Sequence, residues 1–338
     1  MRLEGKETLP IWGAFIPGNT GKSKLEEMHV DPDMTMEDVF TKYPGVWDKS
    51  TDTLGDLRGN DFLVWDEEMQ RGYAQETYSD VPLLVPYPVA GSDRCVILCP
   101  GGAYLTKSME SEGAEVAEAL NRAGISAFVL WYRSYPYRAP YMYLDCQRAL
   151  RYVRYHAADF GLNARKIAVA GFSAGGNLCG VEAFCFRDAP VDEPGYVPDA
   201  IDAVSGVPDA LGLIYPAISL TDDKAIALVA GREVWDDPAQ RAAFGARYDL
   251  RTHVREGDAP VFLCACMDDA VLPPLMLAEL AGACQKKGVS CELHLFPYGG
   301  HGFGSCIPRQ LGPFPPADFS ACGQWLQLFS NWLNRVLG

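Results

Sequence analysis

The segment Gly171-Phe172-Ser173-Ala174-Gly175-Gly176 sets a serine among small residues, between an apolar run and a helix-like stretch. A serine on a sharp strand-to-helix turn is strained and pushed out above its sheet, where its hydroxyl can attack. Small residues at 171 and 175 suit a turn crowded by neighbouring backbone. The amides that open the following helix point partial positive charge at the same place. A serine of this kind needs an imidazole to take its proton and a carboxylate to orient that imidazole. The chemistry this would support is acyl transfer through a covalent intermediate.

The chain has five histidines. His29 lies near the N-terminus, His156 within a helical pattern, His253 in a charged connection and His294 inside a strand-like run. His301 follows that run in Phe296-Pro-Tyr-Gly-Gly-His-Gly-Phe303, a glycine-rich loop able to carry an imidazole to the serine. It is the expected base. For the carboxylate, Val261–Cys266 ends at Met267-Asp268-Asp269-Ala-Val-Leu-Pro-Pro274. The chain order Ser…Asp…His suits a nucleophile on such a turn. Asp269 is favoured by its spacing from the prolines. Asp268 is the alternative, and Asp222 and Asp223 follow. Whichever of Asp268 and Asp269 is not used is expected to cap the next helix or meet solvent.

An oxyanion would need inward-pointing amides. The Gly102 and Ala103 amides of Pro100-Gly-Gly-Ala-Tyr104, together with that of Ala174, are the expected donors. Tyrosines cluster after strand ends, and Tyr104, Tyr132 and Tyr135 are the candidate substrate contacts; a packed aromatic loop with its hydroxyls in solvent is the alternative.

These residues need elements to hold them. Continuous apolar runs at 94–99, 125–132, 166–170, 210–215, 260–266 and 291–296 alternate with helical patterns at 111–124, 145–160, 177–184, 275–287 and 318–337. Apolar strands separated by helices predict a mostly parallel sheet covered on both faces, an α/β fold. Ligands bind such sheets beyond the carboxyl ends of the strands. Gly124, Gly161 and Gly288 stand at helix stops. Residues 1–75 are rich in Pro, Gly, Asp and Lys, yet hold Trp12, Phe15, Phe40, Trp47, Phe62 and Trp65. They read as an extension packed on a catalytic domain of 76–338. A flap over the site or a face for a homo-oligomer is the other role open to them.

The 338 residues include 44 acidic and 29 basic ones, for a net charge of −15. An acidic surface repels phosphates, so neither nucleic acid nor an anionic membrane face is an expected partner. The longest apolar run, Ile125–Tyr132, falls far short of the roughly 18 residues a membrane helix needs. The N-terminus lacks the pattern of a secretory signal. The eleven cysteines show no paired CxxC spacing, so no zinc site is expected and the thiols read as buried, reduced small hydrophobes. A cytoplasmic location is expected.

Taken together, the motifs carry a resemblance. Cys99-Pro-Gly-Gly-Ala-Tyr104, Leu130-Trp-Tyr-Arg133, Asp145-Cys-Gln-Arg-Ala-Leu150, Gly171-Phe-Ser-Ala-Gly-Gly-Asn-Leu178, Tyr215-Pro216, Asp269-Ala-Val-Leu-Pro273 and Phe296-Pro-Tyr-Gly-Gly-His-Gly302 resemble the esterase/lipase branch of α/β-hydrolases. That branch holds acetyl-xylan-esterase-like and feruloyl-esterase-like proteins. The resemblance runs from about residue 80 to 335 and implies the α/β-hydrolase fold, a Ser–His–Asp mechanism, and no metal or other cofactor. The implied substrate is a small ester or acylated oligosaccharide, acetyl first and feruloyl or aryl close behind. Ala103 stands where a third glycine is common, and an extension such as residues 1–75 is not typical of that branch. A serine peptidase and an inactive, ligand-binding hydrolase fold are the rival readings. The first usually carries a propeller domain, for which the chain has no room; against the second, all three expected positions are filled. Ser173→Ala should fold normally and lose nearly all turnover of p-nitrophenyl acetate; unchanged turnover would remove the serine assignment.

Overall fold

The computed structural model describes residues 5–19, 27–29, 74–76, 81–104, 107–134, 137–220, 225–308 and 317–338. Its strands are β1 (Leu9–Pro10), β2 (Glu27–His29), β3 (Ala74–Glu76), β4 (Leu83–Tyr87), β5 (Cys95–Cys99), β6 (Ser126–Trp131), β7 (Ile167–Phe172), β8 (Ala210–Ile214), β9 (Val261–Cys266) and β10 (Cys291–Phe296). One eight-stranded sheet runs in the order β1-β4-β6-β5-β7-β8-β9-β10, and β2 and β3 form a small separate pair. From β6 to β10 every neighbour pair in the large sheet is parallel; β1 and β4 are antiparallel to their neighbours.

The central strands β5 to β9 are buried at every residue, which is why they read as unbroken apolar runs. The helices are α1 (Glu115–Arg122), α2 (Tyr141–Tyr155), α3 (Ala174–Val181), α4 (Ala225–Val229), α5 (Arg232–Asp236), α6 (Pro238–Arg247), α7 (Leu250–His253), α8 (Leu275–Lys286) and α9 (Trp325–Val336). α1 packs with α9, while α2 packs with α3 and α7 with α8, so the sheet is covered on both faces as expected. α1 and α8 stop at Gly124 and Gly288, both in the left-handed region.

The structure also departs from the expected elements. β4 was not foreseen, since Pro86 interrupts its pattern and cannot donate to a ladder. It is tolerated because the short β1 pairs only at Leu83 and Leu84, leaving the Pro86 edge uncovered by β1. The expected helix over 111–124 starts instead as a π turn, Met109–Ala114, before α1. The helix expected from Asn177 begins at Ala174, directly after the serine, and gives way to a second π turn at Glu182–Phe186.

Residues 5–19 pack on α2. Ile11 and Trp12 are buried in the core. Trp12 donates its indole N–H to Asp145 (2.8 Å), and the Arg148 guanidinium lies over the Trp12 ring. Asp145 also accepts from the Arg133 amide at 2.9 Å, from Nε at 2.9 Å and from Nη2 at 2.7 Å. Both side chains of this ion pair are fully buried. No helix among the described residues is long and apolar enough to cross a membrane. All eleven cysteines are free thiols, buried or half-buried.

A buried charge whose partner is removed is strongly destabilised. Asp145→Ala should therefore lower unfolding free energy in urea by about 3–5 kcal/mol; a change below about 1 kcal/mol, the scale of an exposed pair, would show that Arg133 and Trp12 do not depend on it.

Candidate active site

β7 ends at Phe172, and Ser173 turns the chain into α3 with φ 52° and ψ −118°, a conformation rarely open to a residue with a side chain. The turn is crowded. A Cβ at Gly171 would stand 2.0 Å from the Gly175 carbonyl oxygen, and one at Gly175 would stand 2.0 Å from the Cys99 carbonyl oxygen. Only hydrogen fits at either place, so the small residues of the motif are steric requirements. The Ser173 amide donates to the Ile214 carbonyl (3.0 Å), and its carbonyl accepts from the amides of Asn177 (3.0 Å) and Ala217 (3.3 Å). The backbone is therefore fixed on both sides while the residue stays half-buried.

The expected base and acid meet it. His301 Nε2 lies 2.9 Å from Ser173 Oγ, and His301 Nδ1 lies 2.7 Å from Asp269 Oδ2. The side chains of His301 and Asp269 are almost wholly enclosed. A carboxylate at Nδ1 favours the tautomer with the proton on that nitrogen and leaves the Nε2 lone pair facing the hydroxyl. Asp269 is itself held, since its Oδ1 accepts from the amides of Val271 (2.8 Å) and Leu272 (2.9 Å).

Asp268 is exposed to solvent, one of the two places expected for the unused aspartate, and it does not cap α8. It also has protein partners. Its carboxylate accepts from the amides of Gly299 (3.2 Å) and Gly300 (2.9 Å), the residues just before His301. The two aspartates thus divide the work: one holds the imidazole and the other holds the loop that carries it. Asp222 and Asp223 lie outside the described residues, as does Tyr135. Among the other histidines, His156, at the end of α2, pairs with Asp159, and His294, on β10, pairs with Glu292.

The glycine-rich loop after β5 takes an unusual path. Gly102, Ala103 and Tyr104 have consecutive positive φ values of 137°, 54° and 60°. The Gly101 amide is already engaged, donating to the carboxylate of Glu112. The loop packs close to the serine, since a Cβ at Gly101 would meet Ser173 Cβ at 2.8 Å.

Tyr104 and Tyr132 correct the expected substrate contacts. Both are fully buried. Tyr104 donates to Asn177 Oδ1 (2.7 Å) and Tyr132 to the Pro100 carbonyl (2.6 Å). Burial also pushes the Tyr104 phenol well above its usual pKa. Both hydroxyls brace the loop from inside, so neither ring offers a stacking face. The alternative, a packed aromatic loop with its hydroxyls in solvent, holds for the packing of these two residues but not for their hydroxyls, which are buried.

Two residues near the site went unnoticed as site residues in the sequence. Glu112 and Tyr215 are buried and bonded to each other (2.8 Å), and Tyr215 sets its ring edge against His301, with centroids 4.9 Å apart. Tyr215 follows β8 directly, at a strand's carboxyl end where site residues are sought. Glu112 carried no such signal.

A parallel sheet order with an antiparallel β4, a strained serine after β7 and a histidine loop after β10 define an α/β-hydrolase fold. The chain belongs to the BD-FAE family, whose model matches residues 83–281. It is similar to the structure of an acetyl ester-xyloside bifunctional hydrolase from Caldicellulosiruptor lactoaceticus, at 32% identity and a TM-score of 0.64, over 76% of this chain and 88% of that one. Among curated proteins it resembles an endo-1,4-beta-xylanase B of Butyrivibrio fibrisolvens (28% identity over 71% of this chain) and an acetylxylan esterase of Xylanibacter ruminicola (26% over 74%). The alignments span only 37% and 47% of those two proteins.

If Asp269 orients the imidazole, Asp269→Asn should cut kcat by about 10⁴-fold, the scale set by a wrong tautomer. Asp268→Asn keeps one acceptor oxygen for the loop amides and should cost less than about tenfold, near the value of one hydrogen bond. Steady-state rates on p-nitrophenyl acetate measure both, and the reverse ranking would exchange their roles.

Proposed function

We propose that this chain is a serine carboxylesterase that removes short acyl groups, acetyl foremost, from carbohydrate esters. The observation that carries the reading is the relay from Asp269 through His301 to Ser173, with each step within hydrogen-bond reach. His301 takes the Ser173 proton as Oγ attacks the ester carbonyl. The amides of Gly102, Ala103 and Ala174 receive the oxyanion, and losing one such donor typically costs about 2.7–4 kcal/mol in the transition state. His301 then gives its proton to the leaving alcohol, and the acyl group stays on Ser173. Water, deprotonated by His301, attacks the acyl-enzyme, and the acid departs as Oγ regains its proton.

The sugar ester is supported by the names of the relatives, an acetylxylan esterase and an acetyl ester-xyloside hydrolase. A surface of net charge −15 suits neutral acylated sugars better than anionic ones. We place the enzyme in the cytoplasm, where its free thiols would stay reduced. An aryl ester is the second reading, favoured by similarity to an arylesterase of Saccharolobus solfataricus over 35% of this chain.

Nitrophenyl esters of rising acyl length should give the highest kcat/KM at acetate, and acetylated xylo-oligosaccharides should release acetate. A maximum at long chains would contradict the short-acyl reading. Faster cleavage of a feruloyl sugar than of its acetyl counterpart would transfer the assignment to aryl esters.

A further inference from the structure

The serine and histidine loops arise from strands far apart in the chain, and a buried connection joins the oxyanion loop to the histidine loop. Glu112 is enclosed in the π turn Met109–Ala114 and is 2% exposed. One of its carboxylate oxygens accepts from the Gly101 amide at the start of the glycine-rich loop. The other accepts from the Tyr215 hydroxyl at 2.8 Å. That hydroxyl accepts in turn from the Gly304 amide at 3.0 Å, in the loop that carries His301. The Tyr215 ring packs edge-on to His301 and to Phe303, with centroids 4.9 Å and 4.5 Å apart.

The same turn grips both loops by its backbone. Ser108 donates its amide to the Gly101 carbonyl (2.9 Å), and Ser111 accepts from the Ser305 amide (2.8 Å). Just beyond it, Glu115 accepts from the Ser305 hydroxyl, and partial burial holds the Glu115 carboxyl above its usual pKa. Tyr215 itself sits at φ 36°, a backbone conformation retained only where surroundings over-determine it, and such residues cluster at functional sites.

The geometry points to Glu112 and Tyr215 as positioning residues that fix the distance between the oxyanion amides and His301. The inference rests on the esterase reading above. Neither residue touches the reacting atoms; both act through the loops they join. The polarity of the chain explains why position 112 is an acid. Donors arrive from both sides, an amide from the glycine-rich loop and a phenol from the residue after β8, and only a carboxylate offers an acceptor to each without a proton of its own. A glutamine would present an N–H to one of them and leave a buried donor facing a donor.

Tyr215→Phe removes one oxygen and keeps the ring against His301. Glu112→Gln keeps size and changes polarity. Either should lower kcat on p-nitrophenyl acetate by roughly 10- to 100-fold, up to the loss that follows a ~1 Å misplacement of reacting groups. KM should move less than about twofold, because the defect lies in transition-state geometry. Binding of a trifluoromethyl ketone, which forms a tetrahedral adduct, should weaken in step with kcat/KM. The double variant should be no slower than the slower single one, since the two residues form a single bridge. Wild-type kcat in either folded variant, or losses that multiply in the double variant, would overturn the bridge. Should one substitution prevent folding, the other carries the test alone through its kcat-against-KM split. A wild-type protein inert to every ester would instead overturn the esterase reading, and the bridge with it. Active wild type with unaffected variants would overturn the bridge alone.

Discussion

The close approach of backbone around Ser173 governs the rest of the site. β7 and α3 meet so tightly that Gly171 faces the Gly175 carbonyl, and α3 meets β5 so tightly that Gly175 faces the Cys99 carbonyl. This contact holds Ser173 in its left-handed conformation and raises its hydroxyl above the carboxyl edge of the sheet. It also starts α3 directly behind the serine, with its N-terminal amides toward the reacting centre. Strain of this kind persists only when the surroundings are rigid. The fully buried strands on either side supply that rigidity.

A rigid serine is useful only if its partners return to the same place. They come from loops after β9 and β10, and each loop is tied down more than once. Asp269 is held by two amides of its own turn and Asp268 by two amides of the histidine loop. The Gly304 carbonyl accepts from the Trp325 indole (2.9 Å), which anchors the far side of that loop to α9. Asp145 of α2, held by Arg133 and accepting from Trp12, fastens residues 5–19 to the same body. Preorganised groups of this sort lose little freedom when a transition state forms, and much of catalysis by dipoles depends on that.

Much of this was legible in the residues. The serine turn, the histidine loop and the aspartate pair announced themselves because each lies just past a strand's carboxyl end and carries a chemically demanding residue type. Unbroken apolar runs revealed the parallel strands, because burial on both faces removes any alternation. Other features were hidden for physical reasons. Pro86 disguised β4. α4, α5 and α7, of only four or five residues each, are too short to show a period. Asp268 looked like a spare carboxylate, since only the fold shows that amides 31 and 32 positions later reach it. The tyrosines misled in the opposite way: Tyr104 and Tyr132 follow strands as binding residues do, yet their hydroxyls turn inward to brace the loop. Glu112 gave no signal because a buried acid and an exposed one look alike in a helical pattern.

The central claim is that Ser173 is a nucleophile activated by His301. Treatment with a fluorophosphonate followed by intact mass and peptide mapping tests it most directly. The account predicts one covalent adduct, on Ser173, whose rate of formation collapses in His301→Ala. An ester-hydrolysing protein that forms no adduct, or carries it on another residue, would contradict the account.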